Sequence, residues 1–309
     1  MRRLFLGIDT SNYKTSAAVF CPEDGSFRQC GRLLEVPEGT LGLRQSDALF
    51  QHIRQLPEQM EQACRALEGS VAGVGYSSRP RDLEDSYMPC FLAGECAARC
   101  MAAALGVSAR AFSHQQGHLA AAAFSVGKPE LLRRPFLAWH LSGGTTELLL
   151  VQPDPRRILR AEILGGSTDL SAGQIIDRVG VALGLPFPAG PYVEQAALRS
   201  SSEEWFPVKV QACRFSFSGV QNQYQKRMEA GERPEELCRF VLQTVARAIL
   251  RATLQARRLH PGLPVLVSGG VSVCSLMQQC LQGQKELWFA AQGLGGDNGV
   301  GAAILAAME

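Results

Sequence analysis

One pattern, met twice, limits what this chain can fold into: a short apolar strand, a polar turn carrying hydroxyls, and a second apolar strand. It opens the chain as residues 4–8, 9–14 and 15–20, and recurs as residues 136–141, 142–146 and 147–151. Strands of this kind joined by so short a connection pair as hairpins. The same hairpin at the head of each half of a 309-residue chain points to two related lobes. A third small-residue turn, Val265-Leu266-Val267-Ser268-Gly269-Gly270, ends a buried-type strand ahead of a helix expected to begin near Val273. Helical periodicity runs over 45–67, 89–105, 172–183, 234–259 and 299–308. The class is therefore α/β in two lobes. The expected division is an N-terminal lobe 1–125, a second lobe 126–290 with the glycine turns, and a segment 291–309 returning to the first.

Composition excludes several alternatives. With 46% hydrophobic and 19% charged residues, the chain can bury a sizeable core and is not disordered. A net charge of +2 gives no electrostatic pointer to nucleic acid, and the paired arginines at 2–3, 133–134, 156–157 and 257–258 read as solvated faces. The longest apolar stretch, 90–107, is interrupted by Glu95 and Arg99, so no membrane span is expected. The first apolar run stops at Asp9, short of a signal peptide's apolar region of ~7 residues or more. Ten cysteines form no regular framework and no C-x-x-C pair, so buried reduced thiols are expected at Cys96 and Cys100, in a cytoplasmic protein.

The chemistry-bearing residues fall in few places. The three strand-end turns leave backbone N–H groups open to a phosphate, above all at Ser142-Gly143-Gly144, and Asp9 ends a strand where a carboxylate could hold a hydrated metal near that phosphate. His114 and His118, in His114-Gln115-Gln116-Gly117-His118, lie on one face if that segment is helical, ~5–6 Å apart, and both can reach one metal. A zinc-protease reading fails because Gln115 stands where a general base is needed. Asp297 is a candidate third ligand, although an Asp ahead of a helix serves equally as an N-cap.

Taken together and in order, these segments resemble the TsaD family, whose members transfer a threonylcarbamoyl group onto adenosine in tRNA. GIDTSNYKTSAAV resembles that family's first phosphate hairpin, HQQGH its H-x-x-G-H metal pair, and LSGGTTELLL its V-S-G-G-H-T segment. AGQIIDRVGVALGLPFPAGPYVE is similar to its G-E-A-F-D-K…Y-P-G-G-P stretch, FSFSGVQN to F-S-F-S-G-L-K, SGGVSVCSL to G-G-V-A-A-N, and GDNGVGAAI to T-D-N-x-A. The resemblance implies the two-lobed actin, sugar kinase and Hsp70-like fold, with duplicated hairpin-containing domains and a nucleotide held between the lobes.

It also implies a divalent iron or zinc ion on His114, His118 and Asp297. His140, Leu141, Ser142, Gly143 and Gly144 would line the phosphate and carbamoyl site. Asp177, Gly190 and Glu194 would hold the adenosine moiety of an adenine nucleotide or a threonylcarbamoyl-adenylate. tRNA and family-type helper proteins would be the partners, with no membrane involved. Four departures stand out. The family's acidic pair is Tyr13 and Lys14 here, its Glu inside the histidine motif is Gln116, its G-P-G-L loop is Arg79-Pro80-Arg81-Asp82, and its adenine-contacting Asn is Cys274. These departures leave open a second expectation, a metal- and nucleotide-binding paralogue with another acceptor or a regulatory role. A sugar or acid kinase is disfavoured by the histidine pair, which that chemistry does not use.

Overall fold

A computed structural model describes every residue except 12, 37–42, 66–67, 84–85, 292, 295–298 and 309. The chain divides into two units, one of residues 1–133, 153–160 and 293–309, the other of 134–152 and 161–292.

In the first unit, β1 (Arg3–Asp9) and β2 (Lys14–Phe20) form the expected antiparallel hairpin, with Ile8 opposite Ala17 and Asp9 opposite Ser16. β3 (Phe27–Leu33) extends it on one side; β4 (Ser70–Arg79) and β5 (Ser108–Ser113) add in parallel on the other, giving the order β3-β2-β1-β4-β5. Almost every residue of β1 and β2 is buried, because helices lie on both faces and an alternating pattern would leave one face wet. Ile8 faces α2 (Phe91–Leu105), while Gly7 faces α9 (Val300–Ala307), as the twofold alternation of a strand requires. α1 (Gln45–Cys64) packs on β2, and α3 (His114–Ser125) packs on α9.

The second unit repeats this plan. β6 (Phe136–Leu141) and β7 (Thr146–Asp154) pair antiparallel, followed in the sheet by β8 (Ile158–Ser167) and the short β9 (Arg214–Phe215). On the other side of β6 stand β10 (Val265–Ser268) and β11 (Leu287–Phe289), both parallel to it. Apart from β9, the order matches the first sheet strand for strand. α4 (Ala172–Ala182), α5 (Gly190–Ala197), α6 (Ser218–Glu229), α7 (Pro234–Leu259) and α8 (Ser275–Leu281) pack with this sheet in one core. Trp139 is fully buried there and its Nε1–H donates to Thr253 Oγ1 at 2.8 Å, so its one polar atom is satisfied. α7 starts with Pro234 and carries Glu235 and Glu236 in its first turn, which suits both the missing N–H and the helix dipole.

Two expectations are corrected. Gly270–Val273 is a 3-10 turn and the helix begins only at Ser275. Cys96 and Cys100 are free, as expected, but exposed. α2 buries the stripe Phe91, Ala93, Gly94, Ala98 and Ala102, and the two cysteines lie outside it.

α9 lies backbone against backbone on its neighbours. A Cβ on Gly7 would stand 2.0 Å from Gly299 O, one on Gly75 2.1 Å from Ala302 O, and one on Gly301 1.9 Å from Gly117 O of α3. Gly301→Ala should therefore force the α3–α9 crossing apart and cost about 1–3 kcal/mol by overpacking. Urea denaturation of that variant checks the contact, and wild-type stability would contradict it.

Candidate functional site

In the first unit, β1 delivers Asp9 and α3 delivers the two histidines. Ser113 caps α3: its hydroxyl accepts from Gln116 N at 3.2 Å, while Gln116 Oε1 accepts from Ser113 N at 2.7 Å, a reciprocal capping box. The helix places His114 and His118 on one face, with their Nε2 atoms 2.7 Å apart. Behind His114, Oδ2 of Asp9 lies 2.9 Å from Nδ1, and Asp9 Oδ1 accepts from Ser11 N at 3.1 Å. Asp9 is 1% exposed, so its carboxylate is held by the ring and the turn together.

The Asp9 contact fixes one proton of the pair. The acceptor-only carboxylate takes the Nδ1 proton of His114, and the two Nε2 atoms share one proton between them. Two converging imidazole nitrogens, one backed by a carboxylate, are groups that could contribute to a divalent-metal site. Among the described residues no third His, Cys, Asp or Glu completes a ligand set, and Asp297 lies outside the described residues. Lys14, at the start of β2, lays its stem over Gly31 of β3, and Tyr13 is partly exposed.

In the second unit the candidate residues gather at the carboxyl ends of β6 and β10, where open α/β sheets bind ligands. The turn after β6 is closed by Ser142 N donating to Thr145 O at 2.8 Å and by Thr145 N donating to Ser142 Oγ at 3.0 Å. Ser171, which caps α4, donates to Gly143 O at 2.5 Å, and Gly269 (φ 96°) packs on Leu141 O. Leu141 is fully buried and can offer a ligand only backbone; His140 is half-buried, opposite Glu147 and beside Ser268.

Among the described glycines that have open space where a Cβ would stand, all but four sit at left-handed φ, where glycine is needed for the backbone itself. The four are Gly143, Gly144, Gly190 and Gly270. Nothing within the protein demands glycine there, and all four belong to the second unit.

The two candidate ribose carboxylates also serve the fold. Asp177 Oδ1 accepts from Ala189 N at 2.7 Å, ahead of α5. Glu194 Oε1 accepts from Ser275 N at 2.6 Å and Ser275 Oγ at 2.5 Å, capping α8 in place of Cys274. Burial pushes the Cys274 thiol up to about 11, so it stays protonated and unreactive near neutral pH.

Sequence reasoning placed Gly270 in the third strand-end turn but missed Asp169. Asp169 accepts from the N–H groups of Phe217 and Ser218 and from the hydroxyls of Ser216 and Ser218, tying down the F-S-F-S-G segment. No spacing links it to residues about fifty positions downstream. Burial works to raise this carboxyl, but the hydrogen bonds outweigh it and hold it well below the usual carboxylate range. Its contribution to stability is therefore present above the unfolded value, ~4, and is lost as pH falls below it toward the folded value. Urea denaturation from pH 7 to 3 should show wild type and Asp169→Asn drawing together below about pH 4; a constant gap would contradict this role.

A two-sheet α/β chain with open glycines at strand ends belongs with the actin-like and sugar-kinase folds, and solved structures bear this out. HypF in its phosphate- and nucleotide-bound form matches over 98% of this chain and 55% of its own, with TM-score 0.61 at 13% identity. A ROK family glucokinase from Streptomyces griseus, in complex with glucose and AMPPNP, matches over 99% and 100%, with TM-score 0.51 at 13% identity. These likenesses concern the fold alone. At the level of sequence, residues 87–303 match the profile of TsaD, tRNA N6-adenosine threonylcarbamoyltransferase. The tRNA N6-adenosine threonylcarbamoyltransferase of Thermus thermophilus is 30% identical over 97% of this chain and 91% of its own. That of Methanopyrus kandleri is 26% identical over 95% and 84%. The chain belongs to the TsaD family.

Proposed function

We propose that this chain is a TsaD-type transferase that moves a threonylcarbamoyl group from its adenylate onto adenosine of tRNA, using one bound iron or zinc ion. The observation that carries the reading is the His114–His118 pair backed by Asp9, a donor set that kinases of this fold do not need. His114, His118 and Asp297 would hold the ion, and neutral imidazoles with a carboxylate suit iron or zinc. When bound, the ion supplies Lewis acidity toward an oxygen of the donor.

The chain's own residues do the rest. Gly143 and Gly144 let main-chain N–H groups approach the phosphate and carbamoyl oxygens, where they stabilise developing charge. Asp177 and Glu194, each fixed through one oxygen, would accept from ribose hydroxyls, and Gly190 leaves room for the sugar. The acceptor nitrogen bonds to the carbamoyl carbon as the bond to the phosphate oxygen breaks, AMP leaves, and the amino proton passes to water. Lys14 and Cys274 replace an acidic and an amide group of the family pattern, so the adenine edge and local charge are read differently here. tRNA and helper proteins would be the macromolecular partners.

The test is a reconstituted assay with threonylcarbamoyl-adenylate, tRNA and family partner proteins, together with elemental analysis. Wild type should carry one metal equivalent and transfer the group; His118→Ala should lose both. Turnover below that of an intact relative, raised by Lys14→Asp with Cys274→Asn, would trace the deficit to those positions. Equal metal content in wild type and His118→Ala would overturn the metal assignment, and no transfer in any variant would overturn the transferase reading.

A further inference from the structure

We propose that Gln116 is a positioning residue for the two-histidine site and that residues 153–160 act as its brace; this rests on the metal reading above. Gln116 is 4% exposed and lies in α3 between the two histidines. Its Oε1 accepts from Ser113 N, and both hydrogens of its amide go to main-chain carbonyls, Arg157 O at 2.9 Å and Leu159 O at 2.6 Å. Carbonyls two residues apart present themselves to one amide because the residue between them is turned over. Ile158 sits at φ 64°, and Leu159 N donates to Arg157 O at 2.8 Å, closing a three-residue turn. A β-branched side chain in the left-handed region is strained, and such strain persists only where its surroundings hold it.

The surroundings do so from two sides. Asp154 Oδ1 accepts from Arg156 N at 2.8 Å and Arg157 N at 2.9 Å, setting the turn's entry. The Arg157 guanidinium reaches Asp82 Oδ2 at 2.7 Å, and Arg79 lies 3.2 Å from Asp82 Oδ1. In the same 79–82 loop, Pro80 O accepts from Gln115 N at 3.1 Å. The first turn of α3 is thus gripped through the backbone of Gln115 and the side chain of Gln116, and this grip sets His114 against Asp9. It also decides the residue type at 116. A carboxylate would point lone pairs at two carbonyl oxygens, whereas only an amide has two hydrogens to give them.

The full-length protein, stripped with chelator, is titrated with Co(II) and followed by its d–d absorption. Wild type is expected to take up one equivalent. Gln116→Glu and Gln116→Met are expected to weaken Co(II) binding on the order of 10- to 100-fold and to change the band shape. Ile158→Pro cannot adopt the turn, because proline holds φ near about −65°, and should reproduce the loss without altering α3's own sequence. Ile158→Gly relieves the strain while keeping both carbonyls, and should bind Co(II) as wild type does and melt at a higher temperature. Wild-type affinity and bands in Gln116→Glu, or in Ile158→Pro if the Gln116 variants do not fold, overturn the proposal. A wild-type protein that takes up no Co(II) fails the metal reading instead. Hydrogen exchange then decides the brace: faster exchange of the α3 amides in Ile158→Pro supports it, and unchanged exchange overturns it.

Discussion

The first unit depends on a helix lying directly on backbone. At Gly7, Gly75, Gly117 and Gly301 nothing larger than an alanine methyl stands between α9 and the strands β1 and β4 on one side, or between α9 and α3 on the other. A helix that met these neighbours through larger side chains would stand farther off, and helices packed in the usual way keep their axes ~8–10 Å apart. Close seating brings α3 to the end of β1, and from it follows the 2.9 Å contact of His114 with Asp9. Packing between small residues brings the site's parts together, and polar contacts to the first turn of α3 then hold them in place.

Once seated, the site is organised by carboxylates and amides with double duties. Asp9 fixes both a turn and the Nδ1 proton of His114. In the second unit, Asp177 and Glu194 hold the starts of helices with one oxygen each, so any ligand would meet carboxylates already oriented by the main chain. Asp169 does the same for the F-S-F-S-G segment. Groups held in this way need little reorganisation when charge develops nearby, which is how a preformed polar site stabilises a transition state.

The departures from the family pattern become physical once placed. Gln116 is an amide because two carbonyls require hydrogens. Cys274 gives no cap to α8, and Glu194 supplies it instead. Its buried, protonated thiol removes a hydrogen-bonding edge from that position without adding a nucleophile.

Local periodicity and turn chemistry made much of this legible beforehand. The two hairpins, the 26-residue α7 and the glycine turn after β6 all follow from residues close in sequence, and the ordered motifs placed the chain in its family. β4 and β5 were not legible, because Ser70–Arg79 and Ser108–Ser113 are rich in small and polar residues and are strands only through pairing with β1 and with each other. The histidine spacing was visible in the sequence, but the Asp9 contact joins residues 105 positions apart. Likewise nothing near Ile158 announces a left-handed turn, since glycine would be the local choice there. Sequence by itself determined the repeated α/β plan and the residues with chemistry to offer. Tertiary structure decided which of them meet, because hydrogen bonds between buried groups are set by packing across the fold and not by distance along the chain.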